Sequence, residues 1–572
     1  MGQTIPVSCN LDCGGGCPLL AHVEDGRVRR ISNNRAAGRY MAGCVRGFQM
    51  PRVLYAPDRV TTPLIRRGRR GSDDFREATW DEALDLVAER LRHIQSQHGP
   101  TSILYMGGSG SCRGSLHNTH LVATRFLSLF GGFMDLSSNY SAAAELYVHP
   151  HVFGTRNVGM DAGNLQYSRL IILWGANPSD NRFASEMEPR LQEAKARGVE
   201  IIVIDPRCSN TVKTLATQWL PIWPGTDAAL MLATLHVLLT EGMVDRVFVE
   251  RVSVGFAALE GHVLGRDDGI PKTPEWAAGL CGTPAAAIRD FARRYGSTRP
   301  AALIPGYSIQ RTVGGEEPFR LAPALQIATG NLGQPGGSSG GRAFTALPRP
   351  NVGRLPVPPA PVSASVPILL WPDLLLGGRR AGFPADIHAI YNVGGNYLVQ
   401  GADVRKNVRA MEQVDFTVTH DYFLTPTARY SDVFLPATTY LERNDIVGPT
   451  GGNFVLFSNQ AVAPLGQARN DYDILWDLAD RLGFGEAYSA GRDEDAWLRS
   501  FVDASEVTDY EEFKRKGIVF GPDQERVGLA DFAADPRAHP LATPSGKVEL
   551  ASPAHAAAGL PAIPTCRPLP PD

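Results

Sequence analysis

The sequence predicts an α/β protein, with a small β-rich N-terminal domain followed by two doubly wound α/β domains. Three observations carry this. Three cysteines fall within nine residues at the N-terminus, at 9, 13 and 17, with a fourth at 44, among short β-prone pieces and turns. From about residue 165, apolar runs of strand length alternate with helical stretches. A second α/β stretch begins near residue 387. The chain has 572 residues, 43% hydrophobic and 20% charged, which excludes a disordered chain, a coiled coil and a collagen.

In chain order, residues 21–31 form two β-prone pieces around Glu24-Asp25-Gly26, a hairpin pattern. Thr79-Trp80-Asp81-Glu82 is a capping box opening a helix whose apolar face is Ala83, Leu84, Val87, Leu91 and Ile94, stopped by Gly99-Pro100. Leu170–Trp174 and residues 199–204 are buried strands by length and β-branched content, with a helical stretch between them. Such a βαβ unit calls for a parallel sheet. Pro224-Gly225-Thr226-Asp227 starts an apolar helix through Leu239. Eight prolines in residues 348–372 exclude a regular helix there and leave an ordered connection, a cleft-lining loop or a linker. Strand patterns return at 387–391, 416–419 and 433–435.

Charge and hydropathy exclude several functions. The 56 basic and 59 acidic residues give a net charge of −3, without a nucleic-acid footprint or polybasic membrane patch. No apolar run is long enough for direct membrane insertion. Residues 1–6 lack a charged start, an apolar stretch and a twin arginine. The expectation is a cytoplasmic chain, or a periplasmic or membrane-associated one whose twin-arginine signal lies outside this sequence.

The cysteines are the most specific signal. Cys9, Cys13, Cys17 and Cys44 are spaced x3, x3 and x26, with Gly14-Gly15-Gly16 inside the first loop. Four thiolates, three on one tight loop, suit a 4Fe–4S cluster with one cysteine per iron. Zinc is the rival, although structural zinc sites usually use two close cysteine pairs. Cys112, Cys208, Cys281 and Cys566 read as isolated thiols.

The segment from Ser8-Cys9-Asn10 to Cys17-Pro18-Leu19, with Cys44-Val45-Arg46-Gly47, resembles the N-terminus of the molybdopterin oxidoreductases of the dimethyl sulfoxide reductase family, and most closely their iron–sulfur-containing catalytic subunits. Similar pieces follow in order: Gly175-Ala176-Asn177-Pro178, Ile204-Asp205-Pro206-Arg207, Pro224 to Leu230, Lys272 to Ala277, Thr329 to Gly333, Tyr430 to Pro436 and Thr543 to Glu549. The resemblance implies a 4Fe–4S domain at 1–58, a discontinuous α/β domain at 59–145 with 375–560, a Rossmann-like domain at 146–374 and a tail at 561–572. Each α/β domain would bind one pterin dinucleotide.

It also implies molybdenum, or tungsten, held by two molybdopterin guanine dinucleotides. Ser141, in Asn139-Tyr140-Ser141-Ala142-Ala143, occupies the metal-ligand position, with Ser137 and Ser138 as competing registers and turn residues as the plain alternative. A serine oxygen is a hard donor suited to an oxidised metal. Arg46 matches a cation lying between cluster and pterin, against the alternative of a surface arginine.

Dinucleotides call for strand-end turns and helix starts. Gly175, Asn177 and Pro178 follow the first strand, Asp205 and Arg207 the second, and Gly225 and Asp227 open the apolar helix. Asn392, Gly394 and Asn396 repeat the pattern, followed by His420, Asp421 and Thr425, then Asp432. Each is also an ordinary turn or cap residue.

The implied reaction is oxygen-atom transfer from an S-oxide or N-oxide, with electrons entering singly through the cluster. The implied partners are an iron–sulfur electron-transfer subunit and a membrane anchor. Alternatives are an oxyanion reductase acting on selenate or thiosulfate, a molybdenum or tungsten hydratase or transhydroxylase without net redox, and a non-catalytic iron–sulfur subunit. The family usually continues into a β-rich domain that closes the cofactor cleft, whereas here only residues 551–572 follow Leu550. The expectation is that this chain alone holds the cluster but retains the molybdenum cofactor poorly.

Overall fold

The computed structural model describes residues 2–107, 113–181, 186–342, 345, 347–524 and 526–567, so Cys112 lies outside them. Two compact units emerge. The first comprises Met1–Tyr140, Pro348–Pro449 and Asn453–Pro522, and the second Ser141–Leu347, Thr450–Gly452 and Asp523–Asp572.

The first unit opens with an antiparallel sheet of Gln3–Cys9, Cys17–Glu24 and Arg27–Asn33. Asp25 (φ 50°) and Gly26 (φ 69°) both take positive φ, the backbone of the two-residue hairpin expected at Glu24-Asp25-Gly26. The capping box holds: the Thr79 side chain accepts from the Glu82 N–H, and the helix runs Trp80–His98 to Gly99 at φ 81°. Its five expected apolar positions are all buried.

The main sheet of this unit has eight strands, in the order Val362–Pro367, Gly132–Ser137, Ile103–Gly107, Ala389–Val393, Phe416–Asp421, Val433–Pro436, Leu64–Arg66 and Phe75–Glu77. The first six run parallel, Leu64–Arg66 runs against them, and Phe75–Glu77 pairs antiparallel with Leu64–Arg66. Val362–Pro367 is a strand within the proline-rich segment. It sits at the sheet edge, where proline's missing N–H costs no ladder bond. Its pairing with Gly132–Ser137 draws residues 348–374 into the first unit.

The second unit is built on a parallel sheet ordered Gln218–Leu220, Glu200–Ile204, Leu170–Trp174 and Ala301–Pro305. Leu170–Trp174 is buried throughout, as its uninterrupted apolar run requires for a strand covered on both faces. The helix Asp227–Thr240 is buried continuously from Asp227 to Leu235. Residues 523–567 join this unit, where Val548–Glu549 pairs with Ser253–Val254. The division by contacts thus differs from the three-domain expectation at 374 and at 522. Among the described residues, no helix is long and apolar enough to cross a membrane.

Candidate cluster and cofactor sites

Cys9 ends the strand Gln3–Cys9, and Cys17 begins its partner, in direct register. Cys13 lies on the loop between them, and Cys44 immediately precedes the helix Val45–Phe48. The loop closes through Gly14 (φ 66°) and Gly16 (φ 51°). A Cβ added at Gly16 would lie 2.8 Å from Pro449, so glycine is required twice over.

The four thiols feel one another. Burial first, then Cys17, Cys13 and Cys44, push the Cys9 thiol well above its ordinary range. Thiols packed this closely, two of them buried, need positive charge to ionise, and iron would supply it. No zinc-sized group of three appears among these sulfurs: among the described residues, only His262, Asp267 and Asp268 bring three donor atoms within 4.8 Å of one another. Zinc–sulfur bonds of about 2.3 Å would place sulfurs about 3.8 Å apart.

Arg46 pairs with Asp12 and is half-exposed. Its guanidinium lowers the Cys13 thiol, against a larger upward push from burial. The Arg46 charge thus favours the thiolate form of Cys13.

Ser141 opens the second unit, just before the helix Ala143–Phe153. Ser137 and Ser138 belong to the first unit and are exposed, Ser138 with φ 69°. Arg311 donates to both the Ser141 hydroxyl (3.1 Å) and its carbonyl (3.3 Å). Glu145, in the helix's first turn, accepts from Arg342 at 2.6 Å, and its backbone N–H donates to the Gln310 side-chain oxygen at 2.9 Å. The Gln310 amide nitrogen is buried without a partner among the described residues, leaving a donor for a polar group that the polypeptide does not supply. The sequence reading missed Arg311, Gln310 and Arg342. They lie far from Ser141 in the chain, and no local pattern marks them.

At the C-terminal ends of the second unit's strands, Gly175 (φ 63°) turns the chain directly after Trp174. An added Cβ there would lie 2.4 Å from Ile309. Asn177 contacts Thr211 and Asp180, and Pro178 follows in the turn. Asp205 accepts from the Arg207 N–H, and burial raises its carboxyl. Gly225 (φ 77°) precedes Asp227, which accepts from the Trp174 indole at 3.0 Å and is pushed up to about 6 by burial.

The first unit repeats the arrangement. Asn392 bonds across its own turn to Gly395, Gly394 takes φ 71°, and Asn396 accepts from Thr427. Asp421 is pushed up to about 6 by burial, opposed by the Tyr422 and Phe423 backbone and by Thr425. His420 points into the core, between the Tyr391 hydroxyl and Asp471, each at 3.0 Å. Asp432 does not join this edge. It precedes the strand Val433–Pro436, at the N-terminal end of the parallel strands, and is held there by Arg70 at 2.6 Å and by the Thr417 N–H. These contacts engage its carboxylate at the opposite end of the strands from Gly394 and Asp421.

Residues 59–481 match the family model "Molybdopterin oxidoreductase", and residues 3–56 match its "Fe4S4 domain". The chain belongs to the molybdopterin oxidoreductases. It is 34% identical to the dimethyl sulfoxide reductase DmsA of Haemophilus influenzae, covering 95% of this chain and 74% of that one. It is 35% identical to a dimethyl sulfoxide/trimethylamine N-oxide reductase of Cereibacter sphaeroides, covering 88% and 69%. The fold resembles that of acetylene hydratase from Pelobacter acetylenicus, with a TM-score of 0.76, 22% identity, and 98% and 79% coverage. As a molybdopterin oxidoreductase, the chain works with a 4Fe–4S cluster and a molybdenum bis(molybdopterin guanine dinucleotide). The four converging thiols and the glycine turns at the strand ends fit these groups.

Proposed function

We propose that the chain is the catalytic subunit of a molybdenum-dependent reductase of S-oxides or N-oxides. The observation that carries this reading is the similarity, over 95% of the chain, to a relative named as a dimethyl sulfoxide reductase. When bound, the pterin-held metal supplies two-electron oxygen-atom exchange with the substrate.

The polypeptide holds and tunes that centre. Ser141 offers the metal a hard oxygen donor. In the second unit, Gly175, Asn177, Pro178, Asp205, Arg207, Gly225 and Asp227 flank the strand ends that would receive one dinucleotide. In the first, Asn392, Gly394, Asn396, Asp421 and Thr425 would receive the other. Cys9, Cys13, Cys17 and Cys44 hold the relay cluster, and the charge of Arg46 favours its reduced state. A separate iron–sulfur subunit with a membrane anchor would deliver the electrons.

The test is turnover by the anaerobically purified, metal-loaded enzyme with a reduced dye as donor. Reduction of dimethyl sulfoxide or trimethylamine N-oxide is expected. A loaded enzyme that ignores both but reduces selenate or thiosulfate would overturn the substrate class.

A further inference from the structure

The short segment after the strand Ala301–Pro305 grips two places in the second unit at once. At one end, the Gly306 N–H donates to the Trp174 carbonyl at 2.8 Å, and the Ser308 hydroxyl donates to the Gly175 carbonyl at 2.7 Å. At the other, Gln310 accepts from the Glu145 N–H, and Arg311 reaches Ser141. The segment leaves little room for slack. A Cβ at Gly306 would lie 2.0 Å from the Gly175 carbonyl oxygen, and one at Gly315 would lie 2.3 Å from the Gln310 carbonyl oxygen.

Arg311 gives Ser141 a hold from a distant part of the chain. Ser141 sits outside regular structure, and the following helix has no side-chain cap at Ala142. One planar guanidinium bonded to both the carbonyl and the hydroxyl of a single residue fixes that residue's backbone and its side-chain rotamer together. Groups that bond a metal ligand orient it.

We propose that Arg311 is the positioning residue for Ser141, and that residues 306–311 tie the serine's orientation to the strand end at Gly175. This rests on the reading of Ser141 as the metal ligand. Arg311 would set the direction from which the serine oxygen meets the metal, and the cradle at Gly175 would stiffen that direction when occupied.

The test uses metal-loaded holoenzyme carrying R311A, R311K or S141A. The paramagnetic molybdenum signal of the half-reduced enzyme is read beside kcat and KM. R311K keeps the charge but cannot make the two-pronged contact, and it serves where R311A folds poorly. A shifted signal is expected in both Arg311 variants, with kcat reduced about 10–100-fold and KM near the parent value. Added guanidinium should move the R311A signal back. A signal altered in S141A but unchanged in both Arg311 variants overturns the proposal alone. A raised KM at unchanged kcat also overturns it, by making Arg311 a substrate contact. A signal unchanged in S141A overturns the ligand reading, and the proposal with it.

Discussion

Cys9 and Cys17 stand opposite each other in the register of the first hairpin, so a β-ladder holds two of the four cluster thiols at the mouth of a glycine loop. Half of the cluster site is therefore set by backbone pairing.

Anaerobically purified protein should contain about four iron and four sulfide per chain. Cys13→Ser should lower that content or convert the cluster while far-ultraviolet circular dichroism stays unchanged, because Cys13 lies on the loop and outside the ladder. Zinc in place of iron would refute the site.

Gly16→Ala should lower iron content at near-normal secondary structure. The added methyl would meet Pro449 at 2.8 Å, in a backbone conformation that L residues disfavour. Iron analysis of matched preparations checks this, and full iron occupancy would contradict it.

Ser141→Ala should abolish turnover with an S-oxide while leaving the cluster and the fold intact, since it removes a ligand oxygen and no core contact. Dye-linked assays beside iron analysis separate the two effects.

Arg46→Ala should shift the cluster's reduction potential to more negative values, because a cation stabilises the added electron. The half-exposed pair with Asp12 contributes only about 0–1 kcal/mol to stability, so the thermal midpoint should barely move. A potentiometric titration identical to the parent's would remove Arg46 from the electron path.

Asp227 gives a pH prediction. Burial raises its folded-state pKa to about 6, above the usual unfolded value of about 3.9. A raised carboxyl binds its proton more tightly in the folded state, so its stabilising contribution is full at low pH and is lost as pH rises toward 6. That loss is on the order of 3 kcal/mol. Asp227→Asn keeps an acceptor for Trp174 and should flatten this part of the profile. Urea midpoints at pH 5 and pH 8, compared between parent and variant, decide it. Equal pH dependence in both would count against it.

The candidate cysteine site could be read from the sequence because its signal is local: four residues of one type and their spacing carry it. The helix Trp80–His98 was legible because cap, period and stop agree. Val362–Pro367 was not, since an edge strand paired on one side tolerates the prolines that argue against regular structure. The position of Asp432 at the N-terminal end of its strand was not legible for another reason. Sequence marks that a residue neighbours a strand, but which end of a parallel sheet it occupies depends on where the strand starts. Arg311 was invisible because its partner lies 170 positions away, and nothing in its own neighbourhood differs from a turn.

The strand order of the first unit also bears on synthesis. Ile103–Gly107 lies between Gly132–Ser137, which leaves the ribosome soon afterwards, and Ala389–Val393, made about 280 residues later. At roughly 5–20 residues per second, that interval is on the order of 15–60 s. Throughout it, the nascent chain carries an unpaired central β-edge, while the uninterrupted stretch Ser141–Leu347 is free to condense. That edge stays open to mispairing until Ala389–Val393 has been made.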